Sequence, residues 1–133
     1  MIKKLIILIC IALWILIQFG CDDTLTVQDV DSREIPDSNV SYQKDIAPIF
    51  ELKCVSCHHE GRLEGGVNLT TWSGVVDPRI VIPGEAETSP LVWSIELRPG
   101  FPPMPPLNSS FLPLTPKQTK GVKTWIDEGA LNN

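Results

Sequence analysis

The longest run of apolar residues lies near the start of the chain. Lys3 and Lys4 precede residues 5–19, in which Gln18 is the one polar side chain. As a helix this run would span about 22 Å, which is short of the ~30 Å hydrocarbon core of a bilayer. A positive start, a short apolar stretch and the small residue Gly20 at its end predict a secretory signal peptide over residues 1–20.

A cysteine directly follows Gly20. This junction resembles the lipobox of bacterial lipoproteins, and the resemblance implies that Cys21 is lipidated and becomes the mature N-terminus. Gln18 departs from the pattern, since a small or branched apolar residue is expected there. Cleavage elsewhere or an uncleaved anchor therefore stay open. We expect an exported lipoprotein, periplasmic or in the cell envelope, that is attached to a membrane through its lipid.

Residues 21–40 are polar and acidic. They contain six carboxylates against one basic side chain, Arg33. Their few apolar residues follow neither the helical nor the strand period, which is typical of a solvated chain. We therefore predict an acidic flexible tether over residues 21–40 and one domain over residues 41–133.

Helical periodicity returns after residue 40, with apolar positions spaced three and four apart. Pro48 falls in the first turn of one stripe, Ser89 and Pro90 open a second, and Thr115 with Gln118 forms a capping box for a third. Seven prolines from Pro99 to Pro116 predict a rigid loop between the last two helices. The sequence predicts a mainly α fold with about three to four helices and long proline-rich loops. The stripes comprise Tyr42, Ile46, Ile49 and Phe50; Leu91, Trp93 and Ile95; and Val122, Trp125 and Ile126.

Composition and charge exclude some functions. The chain has 133 residues and a net charge of −5, and such an acidic balance argues against a nucleic-acid partner. No glycine-rich phosphate loop follows a predicted strand, so nothing indicates a nucleotide site. The domain is small enough that a core of side chains alone would be marginally stable. A large buried cofactor would remedy that.

Residues 54–58 read Cys-Val-Ser-Cys-His, the C-x-x-C-H signature of haem c attachment. On a helical turn Cys54 and Cys57 face the same side, where both thiols can reach the vinyl groups of one porphyrin. His58 can then present its imidazole to the iron as the proximal ligand. A structural zinc site would need a second pair of ligands, and a thioredoxin-type motif would need a βαβ unit. The motif therefore predicts one covalently bound haem c.

The sixth iron ligand is predicted by elimination. His59 adjoins His58 and cannot reach the opposite face of the haem, Met1 lies in the signal peptide, and lysine is an unusual ligand. Met104 remains, and four flanking prolines restrict its backbone and reduce the entropy lost on binding iron. The alternative is a methionine that only fills the core.

Weaker candidates for haem contacts fall into two groups, and each has the alternative of an ordinary core or surface position. Hydrogen bonds to the haem propionates are predicted for Trp72, Arg79 and Arg98, because buried carboxylates need donors. The apolar candidates for the haem wall are Leu69, Ile82, Leu91, Ile95 and Leu107.

The order of these motifs resembles a bacterial class I c-type cytochrome, and most nearly the planctomycete-type cytochrome c domain. The resemblance implies a small cytochrome c fold around one covalent haem, with the first and last helices crossing beside it. It places Ile46 and Phe50 against the last helix, where Gly121 would allow the two helices to approach closely. This chain lacks the proline that many class I cytochromes carry after the C-x-x-C-H motif, so we expect a carbonyl of residues 64–67 to accept the Nδ1–H of His58. The matching stretches are residues 41–50, 54–58, 81–84, 89–91, 104–106 and 125–130.

The leading functional hypothesis is a mono-haem electron carrier, not an enzyme, that serves redox donor and acceptor proteins outside the cytoplasm. With His58 and Met104 both on iron, no position is left for a substrate. The alternative is a haem peroxidase or small-ligand sensor with a labile sixth ligand, but the sequence offers no distal histidine for such chemistry. A weaker alternative is an interaction module in which haem is only a structural core.

Overall fold

The computed structural model describes residues 2–4 and 24–133. Nearly all of the predicted signal peptide, and the predicted lipidation site Cys21, lie outside the described residues. Within the described ranges, no helix is both long enough and apolar enough to cross a membrane.

The described chain is mainly α, which confirms the predicted fold class. The helices are α1 (Val27–Ser32), α2 (Ala47–Lys53), α3 (Trp72–Val75), α4 (Pro90–Ile95) and α5 (Pro116–Asp127). A π-helical turn occupies Tyr42–Ile46, and 3-10 turns occupy Glu64–Gly66 and Ala86–Thr88. Strands β1 (His58–His59) and β2 (Arg62–Leu63) form a short antiparallel hairpin, with His58 opposite Leu63.

Local signals set the starts of the three predicted helices. Pro48 lies in the first turn of α2, and α4 begins at Pro90. In α5 the Thr115 hydroxyl accepts the Gln118 N–H at 3.3 Å, and the Gln118 side chain accepts the Thr115 N–H at 2.9 Å. The predicted capping box is therefore present and satisfies two backbone donors at the helix start.

The core forms where α5 packs against the π-helical turn Tyr42–Ile46. Ile46, Phe50, Trp125 and Ile126 are fully buried in one cluster. The ring of Trp125 lies 5.3 Å, centroid to centroid, from that of Tyr42. The two ends of the domain are thus joined by buried apolar surface, which is the dominant favourable term in folding.

The N-terminal segment, residues 24–40, packs against the domain, so the prediction of a flexible tether is wrong for these residues. Its helix α1 begins with a capping box between Thr26 and Asp29. Val30 and Val40 are 2% and 1% exposed. The apolar residues of the segment show no long period because they contact the domain at separate points along an irregular path.

Two side chains of the last helix region hold the N-terminal segment. Gln118, which is itself buried, donates from Nε2 to the Val30 carbonyl at 3.2 Å. The carboxylate of Glu128 accepts the N–H groups of Asn39 and Val40 at 2.6 and 2.9 Å. These bonds satisfy backbone groups that burial would otherwise leave unpaired.

Gly121 does allow a close approach, but its neighbour belongs to the N-terminal segment. A Cβ atom at Gly121 would lie 2.7 Å from Cγ2 of Ile35. Carbon atoms do not approach so closely without displacement, so only glycine permits Ile35 to lie against α5 in this position.

Candidate functional site

The C-x-x-C-H motif forms a tight turn directly after α2. The N–H groups of Cys57 and His58 both donate to the Cys54 carbonyl at 3.1 Å. Both cysteines are free thiols. Burial raises the pKa of the Cys54 thiol to about 12, so this thiol is protonated at neutral pH. The turn therefore presents two reduced sulfur atoms and an imidazole from one short stretch of chain.

All three side chains line a cavity of about 750 Å³, a volume that includes its mouth. The wall is mainly apolar, which excludes water and lowers the local dielectric constant. Met104 lines the same cavity, so the structure brings Cys54, Cys57, His58 and Met104 to one site.

The imidazole of His58 is 8% exposed, and its Nδ1 is buried without a hydrogen-bond partner among the described residues. The predicted carbonyl from residues 64–67 is not in place. The stretch instead folds as a 3-10 turn, in which the Glu64 carbonyl accepts the Val67 N–H and the Gly66 carbonyl accepts from Arg79. A buried polar atom without a partner is costly in free energy. This imidazole on the cavity wall therefore fits a site that binds a further group.

Met104 is held by helix α4. Its N–H donates to the Ser94 carbonyl at 3.1 Å, and a cis peptide bond joins it to Pro105. Pro105 and Pro106 line the cavity beside it. The backbone on both sides of Met104 is thus restricted where its thioether reaches the cavity wall.

The three predicted propionate donors lie outside this cavity wall, and each has another partner. Trp72 donates from Nε1 to the Ala130 carbonyl at 2.8 Å. Arg79 pairs with Asp77 at 2.6 Å. Both interactions connect groups of the protein itself, so the structure does not support a haem contact for either side chain.

Arg98 is engaged in the same way. Its guanidinium pairs with Glu96 at 2.6 Å and with Glu87 at 2.5 Å. Lys123 also binds both carboxylates, at 2.8 and 2.5 Å. Hydrogen bonds from Lys123 and Arg98 outweigh partial burial and hold the pKa of Glu96 below its ordinary value. This network joins α4, α5 and the 3-10 turn Ala86–Thr88, and it lies away from the cavity wall.

The predicted apolar wall is only partly correct. Leu69, Leu91 and Ile95 line the cavity. Ile82 and Leu107 do not line it, and they are 38% and 76% exposed. Hydrophobic periodicity could not distinguish the residues that line the cavity from those that do not, because residues in loops follow no regular period. Wall residues that the sequence did not indicate are Val67, Ile80, Phe111 and Leu114.

Lys53 is a further wall residue whose role the sequence did not show. It is 4% exposed, and its Nζ pairs with Asp31 at 2.7 Å and donates to the Pro113 carbonyl at 3.1 Å. It lies three residues after Phe50, on the same face of α2. Its partners lie far away along the chain, so no local pattern could have identified them.

A small mainly α domain with a C-x-x-C-H turn and a methionine on one apolar cavity corresponds to the c-type cytochromes. Residues 54–108 match the family model of the planctomycete cytochrome C. This match is consistent with a cytochrome c-like domain, and the matched family implies a covalently bound haem c, for which Cys54 and Cys57 are present. Cytochrome c domains are typically extracytoplasmic. No curated protein and no solved structure matches the chain significantly.

Proposed function

We propose that this protein is a mono-haem cytochrome that carries single electrons between redox proteins outside the cytoplasm and is not an enzyme. The observation that supports this proposal is the meeting of two thiols, one imidazole and one thioether on the same apolar cavity. Bound haem c supplies a one-electron iron couple. In the proposal, Cys54 and Cys57 hold it through thioether bonds, while His58 and Met104 bind its iron.

The side chains of the wall determine what this site can do. The buried His58 Nδ1 has no hydrogen-bond partner among the described residues, so no such bond fixes the orientation of the imidazole. A thioether ligand and an apolar wall both favour the ferrous state over the ferric state, so we expect a fairly high reduction potential. With both His58 and Met104 bound to the iron, no open position would be left for a substrate.

The composition of the wall favours an electron carrier over a peroxidase. Among the described residues that line the cavity, the ionisable side chains besides the cysteines are His58 and Lys53. Lys53 is bound to Asp31 and to a backbone carbonyl. Peroxide cleavage normally requires a free general acid or base on the distal side, and this wall supplies none.

We also propose that the protein is exported and that Cys21 carries a lipid anchor. Two residues separate Cys21 from Thr24, the first described residue of the N-terminal segment. Three extended peptide units reach only about 10 Å. An anchored domain would therefore work close to the membrane surface. Replacement of Cys21 by serine should release a soluble haem protein, and continued membrane association would contradict lipidation.

Absorption spectra of the exported protein, oxidised and reduced, with and without carbon monoxide, test the ligand assignment. We expect a low-spin spectrum with the long-wavelength Met–Fe(III) charge-transfer band and no change of the reduced spectrum with carbon monoxide. Met104→Ala should lose the band and bind carbon monoxide. Leu107→Ala is the matched control, since this exposed residue of the same loop does not line the cavity. A high-spin wild-type spectrum would contradict the assignment and favour a sensor or enzyme.

A further inference from the structure

We propose that Lys53 is a positioning residue that holds the ligand loop, residues 99–115, over the cavity, and that it does so together with the N-terminal segment. This inference rests on the proposed function, in which Met104 of the ligand loop binds the iron. Lys53 itself need not touch the haem to act in this way.

Lys53 lies at the junction of α2, the C-x-x-C-H turn and the cavity. Lys53 is the last residue of α2 and immediately precedes Cys54, and it lies on the cavity wall with 4% exposure. A buried charge is tolerated only when it is paired and hydrogen-bonded. The position of the ammonium is therefore set by its partners, and the position of each partner is set by the ammonium.

Those partners come from two separate parts of the chain. Asp31 of α1 contributes a carboxylate at 2.7 Å, and the ligand loop contributes the Pro113 carbonyl at 3.1 Å. Asp31 is fixed in turn by Gln118, which donates to it at 3.0 Å. Although partial burial would raise the pKa of Asp31, hydrogen bonds from Lys53 and Gln118 lower it, so the carboxylate is charged at neutral pH. Lys53 thus joins α2, the helix that precedes the C-x-x-C-H turn, to α1 and to the ligand loop.

Besides the packing of Phe101 on Trp93 and the burial of Leu114 in the core, the ligand loop has few attachments. In the described chain, two hydrogen bonds connect residues 102–114 to the rest of the protein: Met104 N–H to the Ser94 carbonyl, and Lys53 Nζ to the Pro113 carbonyl. Prolines in this stretch have no N–H to donate. The bond from Lys53 is the one that carries a formal charge, and such bonds are about twice as strong as neutral ones. Removing it should favour opening of the loop and release of Met104 from the iron.

Imidazole binding to the oxidised holoprotein measures this opening, because exogenous imidazole binds iron only after Met104 leaves. We compare Lys53→Met, which keeps the apolar stem, with Lys120→Met. Lys120 is the matched control, since it pairs with Asp37 of the same N-terminal segment at 2.5 Å but is exposed and has no hydrogen bond to the ligand loop. We expect the apparent affinity for imidazole to rise about 10- to 100-fold in Lys53→Met and less than twofold in Lys120→Met.

A second variant and a second measurement keep the test decisive if Lys53→Met folds poorly. Asp31→Asn retains Lys53 but removes the charge that holds its ammonium group in place. This variant should raise the affinity for imidazole several-fold. Hydrogen exchange should show faster exchange of the Ser109 and Phe111 amides in the Lys53 and Asp31 variants, with α5 unchanged. A general loss of stability would instead accelerate exchange throughout the domain.

Two results would overturn the inference. One is equal imidazole affinity in Lys53→Met and Lys120→Met, and the other is unchanged exchange in the ligand loop of Asp31→Asn. Failure of the proposed function looks different, because Met104→Ala would then have the same spectrum and imidazole affinity as the wild type. If Met104→Ala gains affinity while Lys53→Met does not, only the role of Lys53 is refuted.

Discussion

Replacement of Gly121 by alanine tests whether the N-terminal segment packs on α5 in solution. In a helix interior this change alone stabilises a protein by about 1 kcal/mol, because glycine loses more backbone entropy on folding. Here the new Cβ would lie 2.7 Å from Cγ2 and 3.0 Å from Cδ1 of Ile35. Overpacking of this kind costs ~1–3 kcal/mol. We therefore expect Gly121→Ala to lower the free energy of unfolding by about 1 kcal/mol.

The same substitution should have the opposite sign when Ile35 is alanine. The two Ile35 atoms nearest to Gly121 are then absent, and the propensity gain of about 1 kcal/mol remains. Urea unfolding of the four holoproteins, followed by far-UV circular dichroism, gives the coupling free energy, which we expect to be about 2 kcal/mol. If Gly121→Ala stabilises both backgrounds equally, Ile35 does not contact α5 and the docked N-terminal segment is refuted.

Two further predictions concern the same fold. The pKa of Asp31 is lower in the folded protein than its ordinary value of 3.8, so its contribution to stability is complete above that pH and is lost as the pH falls through the folded pKa. In urea unfolding from pH 7 to pH 3, the free energy of unfolding of Asp31→Asn should therefore fall less steeply with pH than that of the wild type. An unchanged slope would contradict the ion pair. Trp72→Phe removes the hydrogen bond to Ala130 and should cost about 1 kcal/mol in urea unfolding. The reduction potential should not change, since Trp72 lies outside the cavity wall; a shift would restore its predicted role at the haem.

Elements defined by local hydrogen bonds were predictable from the sequence. The capping box of α5 uses Thr115 and Gln118, three residues apart, and the fixed φ of Pro116 at its first position suits a helix start. The C-x-x-C-H turn is equally local. Helix α1 carries a similar signal, since Thr26 and Asp29 form a capping box, but its short apolar pattern did not distinguish a docked helix from a solvated chain.

Pairings between distant residues account for what the sequence did not reveal. Glu128 binds backbone groups of the N-terminal segment 88 and 89 positions away, and no spacing rule connects them. Two of the predicted propionate donors, by contrast, have partners nearby in the sequence. Arg79 and Arg98 each pair with a carboxylate two positions earlier, Asp77 and Glu96.

The same reasoning limits the charge that the cavity can present. If haem c is bound as proposed, oxidation of its iron would add one positive charge to a site with a mainly apolar wall, and such a site stabilises charge poorly. Lys53 is the one cation on the described part of the wall, and Asp31 balances it at 2.7 Å. Without Asp31 the ammonium would oppose oxidation further. In the proposed function, the N-terminal segment would therefore influence the electrostatics of the site as well as the closure of its ligand loop.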